Sequence, residues 1–442
     1  MKTRATRRSE VRPESREAVE VERVLQRTFT PAVVDELRRQ TGYNPRQRLA
    51  TAHRLMLTVV EAFLVGQTLG FASLRAIFVR RFGFVRSCPF QKRFKQKAAV
   101  AFFRAALQRL VTGVVEAARL DLRGSLARFA DVRIYDGTGQ RVPPKGRSNF
   151  RGCAEHNAGA KWVVGYSLKT GFLQHGTCGS EGASELPLWR ELGLTFQRRV
   201  LYLFDLAFFE RRLFADAQNA GAHVLMRLKM VAKVRVVGHL KGDSVVDLPN
   251  WALDTYLSCV SRRRGTLFDL DVLWGRGSEM VALRLVGVAH SSRTIRWYLT
   301  TVPRYQLSAR QIVETYRLRW LVELLFRELK QNADMGRSFT ADPNALLALT
   351  YGAMLAHVVV RSLRIQAALA NEVPLEQLRP LACLHVARAY ARDIVDALAA
   401  ATRAAWNRVV SLVGHDLVTV ARELRPSRSR YRIALRLGAA GA

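Results

Sequence analysis

Cysteine is scarce in this 442-residue chain, and the few present follow no pairing pattern. Cys88, Cys153, Cys178, Cys259 and Cys383 are scattered, no two at zinc-finger spacing, and an odd count argues against a disulfide framework. A reducing cytoplasm fits. Acids are also in short supply: 36 Asp and Glu face 70 Lys and Arg, giving a formal net charge of +34 and a pI near 11.2. Such an imbalance predicts a polyanionic partner, nucleic acid first and anionic membrane second. A GC-rich genome would also enrich Arg and Ala, but would not leave the acids so far behind. The opening MKTRATRRSEVRPESRE lacks the apolar segment of a secretory signal. The longest apolar stretch, Leu346 to Val360, is too short to span a bilayer and carries His357, so it reads as a buried helix and no membrane association is expected. There is no internal repeat and no phosphate-cradling glycine loop of the P-loop type. No His-x-His or His-x-x-x-His pair suggests a histidine-based nuclease metal site.

What is present centres on Tyr316 to Lys330, YRLRWLVELLFRELK. At 100° per residue this stretch separates into two helical faces. Tyr316, Arg319, Glu323 and Lys330 share one face, with Trp320 and Arg327 beside them. Leu318, Leu321, Val322, Leu325 and Leu329 fill the other. One face can therefore pack on a core while the other presents a carboxylate bracketed by cations and a phenol. A salt-bridged surface helix would share the four-residue spacing of Arg319, Glu323 and Arg327. The upstream acids argue for more. Asp136 follows the alternating Val132 and Ile134 in FADVRIYDGTG, and Asp205 ends the apolar run Val200 to Phe204. Such a run suits a strand buried on both faces, where an unpaired acid is costly; a strand end near a cation removes that cost. Either aspartate alone would pass for a turn residue.

Together, YDGTG around Asp136, FDLAFF around Asp205 and the Tyr-x-x-Arg-x-x-x-Glu-x-x-x-x-x-x-Lys helix resemble the three signatures of the insertion-sequence 4 family of DDE transposases. The resemblance covers roughly residues 128–360. It implies an RNase H-like mixed-sheet catalytic domain over 128–229 and 303–360, interrupted by a β-rich insertion at 230–302. The residues independently predict alternating strands and helices over 128–229, and successive strands from Val231 to Val302. They also predict a capping box at Ser308 and Gln311 opening the signature helix.

Three carboxylates match metal-assisted phosphodiester chemistry. Two divalent ions held on one side by acids can activate an oxygen nucleophile and stabilise a leaving oxygen, and Mg²⁺ favours such hard oxygen ligands. The expectation is two Mg²⁺ ions, replaceable by Mn²⁺, with Asp136 bridging both and Asp205 and Glu323 each holding one. The resemblance assigns Tyr316, Arg319 and Lys330 to phosphates of the terminal nucleotides, including those of a hairpinned transposon end. Trp320 and Trp297 are candidates for stacking on an unpaired base.

Residues 1–120 are helical and basic after a polar start and are expected to bind DNA. A helix-turn-helix is conceivable around Gly70, with Ser73 as cap and Arg75, Arg80 and Arg81 pointing outward. The alternative is a packing domain with a solvated basic face. Residues 361–442 read as a helical C-terminal region with a basic tail.

The resulting expectation is a cut-and-paste DNA transposase in a bacterial cytoplasm, associated with the nucleoid. Its partners would be double-stranded DNA, namely terminal inverted repeats and target, bound as a homodimer. Two alternatives stand beside it. His385, Arg388 and Tyr431 faintly match a tyrosine recombinase, which would form a covalent protein–DNA intermediate without metal. An inactive, domesticated DNA-binding derivative is the other.

Overall fold

The computed structural model describes residues 16–422 apart from 45–48, 67–69, 119–121, 123, 154–156, 170, 172, 292 and 333–335. The chain falls into two compact units, one holding the residues before 120 together with those from Ala348, the other holding 120–347.

The first unit opens with helices α1 (Arg16–Phe29), α2 (Pro31–Gln40), α3 (Ala52–Val65), α4 (Phe71–Phe82), α5 (Ser87–Phe94) and α6 (Lys97–Ala118). Thr30 and Thr51 start α2 and α3 by accepting the backbone N–H of Val33 and Arg54, which satisfies donors that the first turn leaves open. Phe90, Phe94, Phe102 and Phe103 are fully buried and pack edge-on or stacked against one another.

The second unit is built on one sheet of ten strands. These are β1 (Asp131–Arg141), β2 (Gly159–Ser167), β3 (Leu173–Ser180), β4 (Val200–Phe204), β5 (His223–Arg227), β6 (Arg235–Lys241), β7 (Ser244–Ala252), β8 (Leu267–Trp274), β9 (Val281–Ala289) and β10 (Ile295–Thr300). Their order is β3-β2-β1-β4-β5-β10-β9-β8-β6-β7. β1 runs antiparallel to β2 and parallel to β4, which runs parallel to β5. The sheet is therefore mixed, as expected from the sequence. Every residue of β4 is buried, as its unbroken apolar run demands for a strand covered on both faces.

The β-rich stretch does not stand apart as a separate body. β10 pairs with β5 through Tyr298 and Arg227, and β9 and β8 continue from it, so the insertion lengthens the catalytic sheet. Pairing satisfies backbone groups that an open edge at β5 would expose. Helices α7 (Glu185–Glu191), α8 (Arg211–Asn219) and α9 (Leu253–Ser258) join a core that includes Tyr135, Phe204, Phe214, Val224, Leu270 and Leu285.

After β10 come α10 (Ala309–Tyr316), a single 3-10 turn at Arg317–Arg319, and α11 (Trp320–Asn332). The chain then passes back to the first unit along α12 (Pro343–Ala370), followed by α13 (Pro380–Ala389), α14 (Ala391–Ala400) and α15 (Arg403–Ala421). The apolar stretch seen in the sequence is thus the middle of a 28-residue helix, long and apolar enough by composition to cross a membrane. Its 18-residue apolar window is 94% buried inside the protein, which makes it a core helix. Lys97–Ala117 also passes the length and composition test. The first and last helical stretches, divided at 120 and 361 in the sequence reading, therefore share one unit.

Candidate active site

The site forms where the parallel pairing of β1 and β4 ends. Tyr135 of β1 is the register partner of Phe204 of β4, so the next residues, Asp136 and Asp205, leave neighbouring strands side by side. β1 itself does not stop there: it continues to Arg141 against β2, so Asp136 lies within a strand and only Asp205 at an end. Gly137 and Gly139 belong to the strand. Glu185 of α7 sits over Gly137, where a Cβ would come within 2.9 Å of its Cγ. A bare backbone there lets α7 approach the sheet.

The third acid arrives on α11, which lies against β1. Ser308 and Gln311 form the expected capping box at the start of α10. Leu318, Leu321, Val322, Leu325 and Leu329 are all buried, so the apolar face holds the helix down and leaves Glu323 half-buried toward the strands.

Arg319 joins the three acids. Its Nη1 donates to Asp136 Oδ2 at 2.7 Å and its Nη2 to Glu323 Oε1 at 2.6 Å, while its Nε lies 3.9 Å from Asp205 Oδ1. The guanidinium keeps its charge: burial works against it, but Asp136, Tyr316, Asp205 and Glu323 together raise its pKa above the ordinary value. Burial pushes the Asp136 carboxyl up to about 6, against the pull of Arg319 and of the Gly137 N–H that donates to its Oδ1 at 2.8 Å. Asp205 and Glu323 add to the upward push by like-charge repulsion.

These are hard, anionic oxygen donors from three different elements, the donor set a divalent ion such as Mg²⁺ prefers. Among the described residues no group of three His, Cys, Asp or Glu side chains is spaced to grip an ion directly. The carboxylates are instead arranged around a cation of the protein's own.

Tyr316 is not on the open face with them. It is buried, and its hydroxyl donates to the Phe204 carbonyl at 3.3 Å, the residue before Asp205. The 3-10 turn that follows changes the rotation per residue, and the phenol is left packed near Tyr298, ring centroids 5.2 Å apart. Burial raises its pKa well beyond the ordinary range. It pins the end of β4 and does not reach for phosphate. Tyr316→Phe is expected to cost about 0.5–1.5 kcal/mol of stability in urea unfolding, as for one intramolecular hydrogen bond. Unchanged stability would show that the bond contributes nothing.

Lys330 is exposed on the same face of α11 as Glu323, about two turns further on, and partial desolvation lowers its pKa while Glu181 opposes the shift. Trp320 is half-buried at the start of α11. Trp297 belongs to the sheet core. It is 5% exposed and faces Gly287 of β9, and a Cβ on Gly287 would fall 2.3 Å from its ring. An indole held there cannot stack on a base without leaving the core, so the stacking role expected from sequence does not fit.

Of the N-terminal arginines, Arg75 and Arg81 differ from expectation, while Arg80 stays exposed. Arg80 and Arg81 both bind Glu61 of α3, whose side chain is only 1% exposed, and Arg81 also binds Asp396. A buried carboxylate requires such partners; it draws Arg81 inward, whereas Arg80 reaches it with a side chain still 57% exposed. Arg75 donates to the Val85 carbonyl at 2.7 Å and covers the Phe84 ring. Gly70 caps α4, Ser73 lies inside its first turn, and residues 67–69 of the supposed helix-turn-helix lie outside the described residues. Exposed basic groups here are Arg80, Arg86, Lys92, Lys95 and Lys97.

Two acids went unnoticed in the sequence. Glu185 pairs with Lys161 at 3.0 Å beside Asp136's neighbour Gly137, and Glu181 stands by Gly139 and Gly159. Only the pairing of β1, β2 and β3 with α7 brings them near, and no local spacing would have shown it.

Residues 127–359 match the family model described as transposase DDE domain. No curated protein sequence matches the chain. Among solved structures, a cryo-EM structure of piggyBac transposase synaptic complex with hairpin DNA is similar in outline, at 12% identity and a TM-score of 0.44, over 94% of this chain and 87% of that one. That similarity is too low to transfer any residue.

Proposed function

The chain belongs to the transposase DDE domain family, and from that premise we propose a cut-and-paste enzyme of the insertion-sequence 4 kind that acts on the terminal inverted repeats of its own element. It is a DDE-type DNA transposase, an endonuclease and strand transferase that binds DNA and uses divalent metal ions. The finer reading is supported by the meeting of Asp136, Asp205 and Glu323 around Arg319.

In this reading Asp136, Asp205 and Glu323 hold two Mg²⁺ ions, with Mn²⁺ as a substitute. Such ions supply activation of an attacking oxygen and stabilisation of the leaving oxygen. The chain's own part is positional. β1 and β4 fix two carboxylates side by side, Tyr316 anchors the second strand, and the buried leucines of α11 hold the third acid against them. Arg319 and Lys330 contact the terminal phosphates, with Trp320 as the remaining aromatic near a displaced base. The protein works in the cytoplasm as a homodimer on DNA.

The tyrosine-recombinase alternative is not favoured, since the family match is to a DDE domain. His385 is exposed on α13, and Tyr431 lies outside the described residues. Incubation of the protein with duplexes carrying the repeats that flank its gene separates the readings. Cleavage that requires Mg²⁺ or Mn²⁺ and stops with chelator is expected. A covalent protein–DNA adduct formed without metal would overturn the proposal.

A further inference from the structure

We propose that Arg319 is a displaceable counter-ion, which holds the three acids together before DNA binds and which divalent ions and a DNA phosphate draw out in concert. This rests on the reading of Asp136, Asp205 and Glu323 as metal ligands. The same oxygens are contested. Asp136 Oδ2 and Glu323 Oε1 each accept a guanidinium N–H, at 2.7 and 2.6 Å, and the remaining Asp136 oxygen accepts the Gly137 N–H. An ion reaching those oxygens meets a cation already seated on them. Arginine cannot yield by losing its proton, so it can yield only by moving.

The local structure permits that movement. Arg319 ends the 3-10 turn between two helices, and its side chain keeps 21% exposure, so a path to solvent is open. The fork that spans two carboxylates also suits the paired oxygens of a phosphate. A phosphate beside the acids would therefore take over the guanidinium as ions take over the carboxylates. Each ligand removes an obstacle to the other, and such coupling is reciprocal. The device gives the DNA-free protein weakened metal binding, so that its hydrolytic centre loads when an end is bound.

The test measures Mn²⁺ binding, not turnover. The full chain is titrated with Mn²⁺, free ion being read by electron paramagnetic resonance. Titrations are run alone and with a duplex of the flanking repeat made cleavage-resistant by phosphorothioates. Without DNA, Arg319→Ala is expected to bind Mn²⁺ about tenfold tighter than the wild type, within the usual range of site-to-site coupling. Adding the duplex should tighten wild-type binding by a larger factor than it tightens the variant. An Arg319→Ala protein that melts cooperatively yet binds Mn²⁺ no tighter, or equal gains from DNA in both proteins, would overturn the proposal. If the alanine variant fails to fold, Arg319→Lys keeps the charge but loses the fork. It should bind Mn²⁺ more tightly than wild type, and no gain there also overturns the idea. Failure of the underlying site looks different: wild-type Mn²⁺ binding would then be undetectable, or unaltered by Asp136→Asn, with DNA as well as without it.

Discussion

Replacing Asp136, Asp205 or Glu323 by alanine is expected to abolish metal-dependent strand cleavage while leaving binding to end DNA intact. Each change removes one of three carboxylates contributed by separate elements, and nothing adjacent can replace it in the same position. Metal-assisted activation is worth several kcal/mol, so the loss should reach about a thousandfold or more in rate. The fold should survive. In Asp136→Ala the guanidinium of Arg319 still holds Glu323, and in Glu323→Ala it still holds Asp136. Asp205 is the most exposed of the three, at 38% of its side chain, and its removal leaves both short contacts in place. Denaturing gels read cleavage, and fluorescence anisotropy reads binding. Substantial cleavage by any one variant would remove that acid from the centre, and equal loss of binding would point to damaged folding.

Trp297→Ala is expected to destabilise the second unit by about 3–5 kcal/mol, as large aromatic deletions in packed cores do. The indole lies over Gly287 on the next strand and 5.5 Å from the Phe268 ring, and the core around it cannot collapse onto a glycine. Nicked, hairpin and double-strand products should then fall together as folded protein is lost. The converse change, Gly287→Ala, drives a methyl into the same ring and should cost about 1–3 kcal/mol. Urea unfolding measures both. A Trp297→Ala protein with wild-type stability and a selective loss of hairpin product would restore the base-stacking role that its position in the core argues against.

Local pattern sufficed for a good deal of this protein. The sharp end of the apolar run before Asp205, the two faces of the stretch around Glu323, and the capping box at Ser308 depend on neighbours three or four residues away, where propensity and periodicity act directly. The leucine face of α11 is buried as that period requires. The excess of basic residues likewise needed only composition to suggest a polyanionic partner.

What periodicity could not supply is which partner a polar side chain takes. Tyr316 shares a helical face with Arg319 on a regular wheel, yet a 3-10 turn and the nearby Phe204 carbonyl turn it into the core. Arg81 looks like a surface cation until α3 presents a buried Glu61 to it. Trp297 passes for a stacking platform in the sequence, but its strand lies between β9 and β5 and its ring packs on Gly287 and Phe268. Asp136 and Glu323, both acids to the sequence, become two arms of one guanidinium clasp because β1 and α11 meet. Burial fixes these choices: a charge or hydroxyl removed from water must find a partner, and only the packed chain determines which one lies within reach.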